Sequence, residues 1–120
     1  VDQGVYRFNG TGWQQIAGAG ARIAIADTSP WVVNSKGEVW FMQNDKWAKD
    51  KAAPKAVDIG ASKAGVWLVG GPESKGNFGI YKLDGGKWVR QSGAATNIAV
   101  GPDGLPLVSN ATGEIFVMER

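Results

Sequence analysis

A chain of 120 residues that is 43% hydrophobic has the size of one domain and enough apolar side chains for a real core. Thirteen basic against 11 acidic residues leave a net charge of +2, too balanced for a nucleic-acid-binding face. Cysteine and histidine are both absent, which removes disulfides, Cys/His zinc sites, thiol nucleophiles and every histidine-based general base.

No apolar run approaches the roughly 20 residues of a membrane-spanning helix, so no membrane insertion is expected. No stretch reads as a signal peptide, and a start at Val1 reads as a processed, trimmed or excised chain. A secreted or cell-surface location is the favoured one. Eighteen glycines without a collagen period imply many tight turns between short strands.

Taken in order, the chain repeats one phrase: a glycine, an apolar–aromatic pair, a turn and a tryptophan. It runs Gly4-Val5-Tyr6 to Trp13, then Gly37-Glu38-Val39-Trp40 to Trp47, then Gly79-Ile80-Tyr81 to Trp88. A fourth copy, Gly113-Glu114-Ile115-Phe116-Val117-Met118-Glu119-Arg120, stops before its tryptophan. The tryptophans recur after 34 (47 − 13) and 41 (88 − 47) residues. Alternating apolar pairs keep the same intervals at Ile23-Ala24-Ile25, Val57-Asp58-Ile59 and Ile98-Ala99-Val100. A further run follows each, at Trp31-Val32-Val33-Asn34, Trp67-Leu68-Val69-Gly70 and Leu107-Val108-Ser109-Asn110. Independent features sharing a period of that length mark a solenoid, propeller or array.

Each unit holds four short β-branched and aromatic runs, punctuated by turn residues such as Asn9-Gly10, Asn44-Asp45, Asp84-Gly85-Gly86 and Pro102-Asp103-Gly104. The Lys46–Lys55 stretch reads as strand plus loop, because Pro54 and the repeat argue against helix. Residues 70–77 read as an insertion. Four strands in about 35–40 residues is the arithmetic of a β-propeller blade. The fold class predicted is all-β, with propeller blades of four antiparallel strands and three repeat units in the chain.

Lettered A to D from the axis outward, the blades fall at about 22–49, 57–91 and 96–118. The last lacks strand D and would be completed by one like 12–16. Thirteen strands in an open arc would expose sheet edges. The expected closure is a homodimer forming a six-bladed ring, with one of the terminal C strands redundant.

The stretch Ile98-Ala99-Val100-Gly101-Pro102-Asp103-Gly104 to Gly113-Glu114-Ile115-Phe116, with Gly79-Ile80-Tyr81-Lys82-Leu83-Asp84-Gly85-Gly86-Lys87-Trp88-Val89, resembles a tectonin repeat. Residues 4–34 resemble one too, and the second unit does so more weakly because of its insertion and its lysine-rich strand D. The resemblance implies a six-bladed propeller and, since several members are lectins and others interaction domains, a carbohydrate-binding role. The chain departs from the family in having three units and in carrying Leu105-Pro106-Leu107 where the other units have Trp31 or Trp67.

A lectin site stacks sugar C–H faces on aromatic rings and bonds hydroxyls to amides and carboxylates. The candidate ligand-binding residues are Trp31 and Trp67 as the floor of a shallow groove between blades, edged by Asp27, Asp84 or Asp103. Trp13, Trp47 and Trp88 read mainly as packing between blades, and Trp40 as core. Asp58, on an inner strand, is expected to face the central channel. Several weak sites on one ring would act through avidity.

The expected partners are a glycan, a bacterial surface saccharide among the candidates, and a second copy of the chain. No cofactor, metal or catalytic residue is assigned, and no enzyme is expected. Asn9-Gly10-Thr11 and Asn110-Ala111-Thr112 spell glycosylation sequons but fit the turn chemistry of the repeat. Lysines 46, 49, 51, 55 and 63 make a mildly basic stretch that reads as a solvated face, with binding of an anionic glycan or lipopolysaccharide as the alternative. The rival reading is a non-enzymatic structural or protein-interaction unit, or a propeller fragment that self-assembles.

Overall fold

The computed structural model describes residues 2–118. Val1 and the last two residues of the fourth phrase, Glu119 and Arg120, lie outside them. Among the described residues the regular structure is all β, in four antiparallel sheets. A two-stranded sheet pairs β1 (Gln3–Phe8) with β2 (Trp13–Gly20). The first four-stranded sheet runs β3 (Arg22–Ala26), β4 (Ser29–Val33), β5 (Val39–Gln43), β6 (Lys46–Lys49). The second runs β7 (Ala56–Ser62), β8 (Gly65–Ser74), β9 (Asn77–Asp84), β10 (Lys87–Ala95). A three-stranded sheet of β11 (Asn97–Val100), β12 (Pro106–Ser109) and β13 (Ile115–Val117) ends the chain.

The local chemistry explains these meanders. Asn44 and Asp45, at φ 53° and 61°, and Gly85 and Gly86, at 57° and 83°, place two successive residues in the left-handed region. That is the backbone of the two-residue hairpin turn whose twist matches the flanking strands. The turns from β4 to β5 and from β12 to β13 are built alike. Asn34 Oδ1 accepts the Glu38 amide at 2.9 Å, and Asn110 Oδ1 accepts the Glu114 amide at 2.9 Å. The side-chain amides return the bond to the glutamates, at 2.8 and 2.9 Å.

Residues 70–77 extend the sheet instead of leaving it as an inserted loop. Beyond an irregularity after Gly70, the ladder resumes with Ser74 opposite Asn77. The fourth strands also run further than the periodicity suggests, because a bulge lets the chain bend and continue. Pairing jumps from Ile16 to Ala19 in β2 and from Gln91 to Ala94 in β10.

The first strands stand side by side, β3 against β7 and β7 against β11, so the sheets fan around a common line. Two cores fill the spaces between them. Side chains alternate across β8, so Val66 and Leu68 enter the first core with Trp31, Val33, Val39, Ala56 and Ile59. Trp67 and Val69 enter the second with Ile80, Ala95 and Ile98. Leu68 and Val69 are both 0% exposed, and full burial of such a side chain is worth about 1.5–3 kcal/mol.

Asp58 ties three sheets together, and its expected place as a solvated channel group is corrected. It is buried, its carboxylate accepts the Ile98 amide of the third sheet at 2.8 Å, and it lies 3.8 Å from Arg22 Nε of the first.

Candidate functional site

The predicted groove floor is not open. Trp31 is 8% exposed and Trp67 2%, because each ring is needed to fill the space between sheets. Trp31 stacks on Phe41 with ring centroids 4.9 Å apart and meets Trp88 edge-on at 6.1 Å. Trp67 donates its indole N–H to the Gly104 carbonyl at 3.2 Å and carries the Lys82 ammonium 5.6 Å from its ring centre. The two tryptophans therefore belong to two different cores and act as packing groups.

The three aspartates occupy three separate turns, and that of Asp103 also holds the Gly104 carbonyl that accepts the Trp67 N–H. Asp27 takes a left-handed backbone, φ 58°, between β3 and β4. Asp84 ends β9, and its residue is exposed. Asp103 shapes the turn between β11 and β12 by accepting the Leu105 amide at 3.1 Å. Among the described residues no group of three acidic side chains is placed to hold a metal ion. Among the described residues there is no helix long and apolar enough to cross a membrane.

Polar groups converge elsewhere, in a cleft of about 330 Å³ beside the β4–β5 turn and the segment after β6. Its charged lining is Lys36, Glu38, Lys49, Asp50, Lys51 and Lys55. Both carboxylates are held in place. Glu38 receives Lys49 Nζ at 2.7 Å and the Asn34 amide at 2.8 Å. The Lys49 hydrogen bond, followed by that of Asn34, keeps its pKa below the ordinary 4.5, so it is ionised at neutral pH. Asp50 takes the Trp88 indole N–H at 2.9 Å and the Ala52 amide at 3.0 Å.

The cleft thus presents fixed acceptors ringed by four ammonium groups, the composition that orients hydroxyl-rich or anionic small ligands. A general acid needs a raised pKa, and Glu38 is shifted the other way. The lysine-rich stretch was visible in the sequence, but its convergence was not. Trp88 reaches Asp50 from 38 residues away and from another sheet.

No protein-family model matches the chain. It is 32% identical over 105 residues to Tectonin-2 of Physarum polycephalum, a match covering 73% of this chain and 28% of that protein. It is 34% identical over 74 residues to Tectonin-1 of the same organism, covering 62% of this chain and 32% of the relative. The chain therefore spans less than a third of the length of either curated relative.

Proposed function

Because this chain belongs to the tectonin family, we propose that it serves as a lectin-like, non-enzymatic propeller module that binds saccharides. The family and the all-β fan of antiparallel sheets support the propeller architecture. The observation that carries the saccharide reading is the charged cleft at Lys36, Glu38, Lys49, Asp50, Lys51 and Lys55. Glu38 and Asp50, each held by its own donors, would accept sugar hydroxyls. Lys51 and Lys55, both exposed, would meet a carboxylate or phosphate on the same glycan. The preferred ligand class is therefore an acidic saccharide.

An open cleft with a handful of polar contacts gives weak individual binding, and several copies on one surface would raise it by avidity. A printed array of neutral and acidic glycans tests this, followed by titration of the strongest hit. Binding to acidic glycans that falls on Asp50→Asn and on Lys51→Ala with Lys55→Ala is the expected result. Failure of the native chain to bind any glycan, or equal binding by these variants, would overturn the proposal. A second reading, a protein-interaction unit, is favoured by one different observation, the apolar faces left at both ends of the fan.

A further inference from the structure

Two cavities occupy equivalent places, one between the β1–β2 sheet and the first four-stranded sheet and one between the second four-stranded sheet and the last, and a tryptophan reaches into the first but not the second. The first, about 270 Å³, is lined by Gly18, Ala19, Val32, Asn34, Trp40 and Trp47. The second, about 380 Å³, includes Gly93, Ala94, Val108, Asn110 and Phe116. The strand registers make these residues counterparts. Gly4 faces Ala19 and Val5 faces Ile16, as Gly79 faces Ala94 and Ile80 faces Gln91. Asn34 and Asn110 open the same turn. Only Trp47 has no counterpart. Its indole N–H is donated to the Ala17 carbonyl, and it stands where a Cβ on Gly18 would be. A Cβ on Gly93 would meet only Ile80 Cδ1, at 3.5 Å, among atoms within 4 Å.

Among the described residues the last sheet has three strands, and no tryptophan lines this second cavity. At the other end, Trp13 is 70% exposed and its ring contact is with Phe8. β1 nevertheless sits against the following sheet as an ordinary third strand does. Asp2 accepts the Ser35 amide at 2.6 Å, just as Asn77, at the head of β9, accepts the Ala111 amide at 2.9 Å. The β1–β2 pair thus matches the outer half of a four-stranded sheet, and β11–β12 matches the inner half.

We propose that the β1–β2 hairpin of a second copy completes β11–β12, seating its Trp13 in the cavity over Gly93. The pairing of Val33 with Val39 and Val32 with Trp40 supplies the register. Ser109 would face Val5 of the second copy, and Val108 would face Tyr6. β13 then gives up its edge. At the position where Val5, Val39 and Ile80 are 7%, 1% and 5% exposed, Ile115 is 70% exposed. Reciprocally, β11 of the second copy would cover Ile23 and Ile25, now 53% and 56% exposed. Their counterparts Ile98 and Ile59 are buried within the inter-sheet cores.

The occupant is a second copy because this face continues the two sheet-to-sheet interfaces already inside the chain, residue for residue. Two copies related by a two-fold axis then close a ring of six sheets without free edges. This inference stands apart from the saccharide proposal, and no glycan result bears on it.

The chain contains no cysteine, so an engineered pair is unambiguous. Oxidised Val5→Cys with Ser109→Cys is expected to give a covalent dimer. Trp13→Ala, at a residue 70% exposed, should keep the native circular dichroism and is expected to weaken dimerisation about 100-fold or more. Ile115→Asp with Phe116→Asp is expected to leave dimerisation intact or strengthened. A monomeric native chain, undiminished dimerisation of Trp13→Ala, absence of the covalent dimer, or loss of dimer on charging β13 would overturn the proposal.

Discussion

Replacing Asp58 by alanine should loosen the junction of three sheets. The substitution removes the acceptor of the Ile98 amide, a buried bond of 2.8 Å, and leaves that N–H unpaired. A hydrogen bond to a charged group contributes about 1.5–3 kcal/mol, and the orphaned donor keeps the loss near the upper end. The Arg22 pair adds little. Its distance is 3.8 Å and the arginine side chain is 54% exposed, so solvent screening holds it to about 0–1 kcal/mol. The expected loss for Asp58→Ala is therefore about 2–4 kcal/mol. Asp58→Asn keeps a carbonyl for the amide and should lose about 1 kcal/mol or less. Equilibrium urea denaturation followed by tryptophan fluorescence, at one fixed protein concentration so that association does not shift the midpoint, measures both. A loss under about 0.5 kcal/mol for alanine, or equal losses for the two variants, would refute the hydrogen-bond argument.

Further outcomes follow from the same geometry. Leu68→Ala, at a site with no exposure, should cost about 2–5 kcal/mol in the same denaturation experiment. Gly18→Ala should be destabilising twice over. Its φ of 114° disfavours any Cβ, and that Cβ would meet the Trp47 indole; a loss of at least about 1 kcal/mol is expected. Glu38 and Glu114 have folded pKa values below the ordinary 4.5, set first by the Lys49 and Asn110 hydrogen bonds respectively. Their contribution is present above the unfolded pKa and lost as pH falls through the lowered folded value. The denaturation midpoint should therefore decline as pH falls from about 4.5 towards the lowered folded values, and Glu38→Gln with Glu114→Gln should flatten the decline. Glycan binding through the lysine cleft should weaken as salt rises from dilute buffer to about 0.5 M, because exposed ammonium groups are screened; salt-independent binding would exclude those lysines.

The antiparallel all-β architecture was legible because strand periodicity, glycine-rich turns and the recurring tryptophan are local signals repeated along the chain. Burial of the tryptophans was not legible in that way. Trp13, Trp47 and Trp88 hold the same place in the repeat, yet Trp47 and Trp88 are half-buried and Trp13 is 70% exposed. The difference lies in whether a neighbouring sheet exists, which no short segment states. Asp58 was misplaced for a related reason. Its partners Arg22 and Ile98 are 36 (58 − 22) and 40 (98 − 58) residues away in other sheets. Of the candidate site, Lys49, Lys51 and Lys55 were visible as charge, while Glu38 and Asp50 gained meaning only when a turn and a distant tryptophan fixed them.

The mass of the native chain in solution tests most directly whether the fan closes by pairing with itself. Light scattering behind size exclusion at micromolar protein should return twice the 12.7 kDa of one chain. A single 12.7 kDa species that persists as concentration is raised would contradict the account.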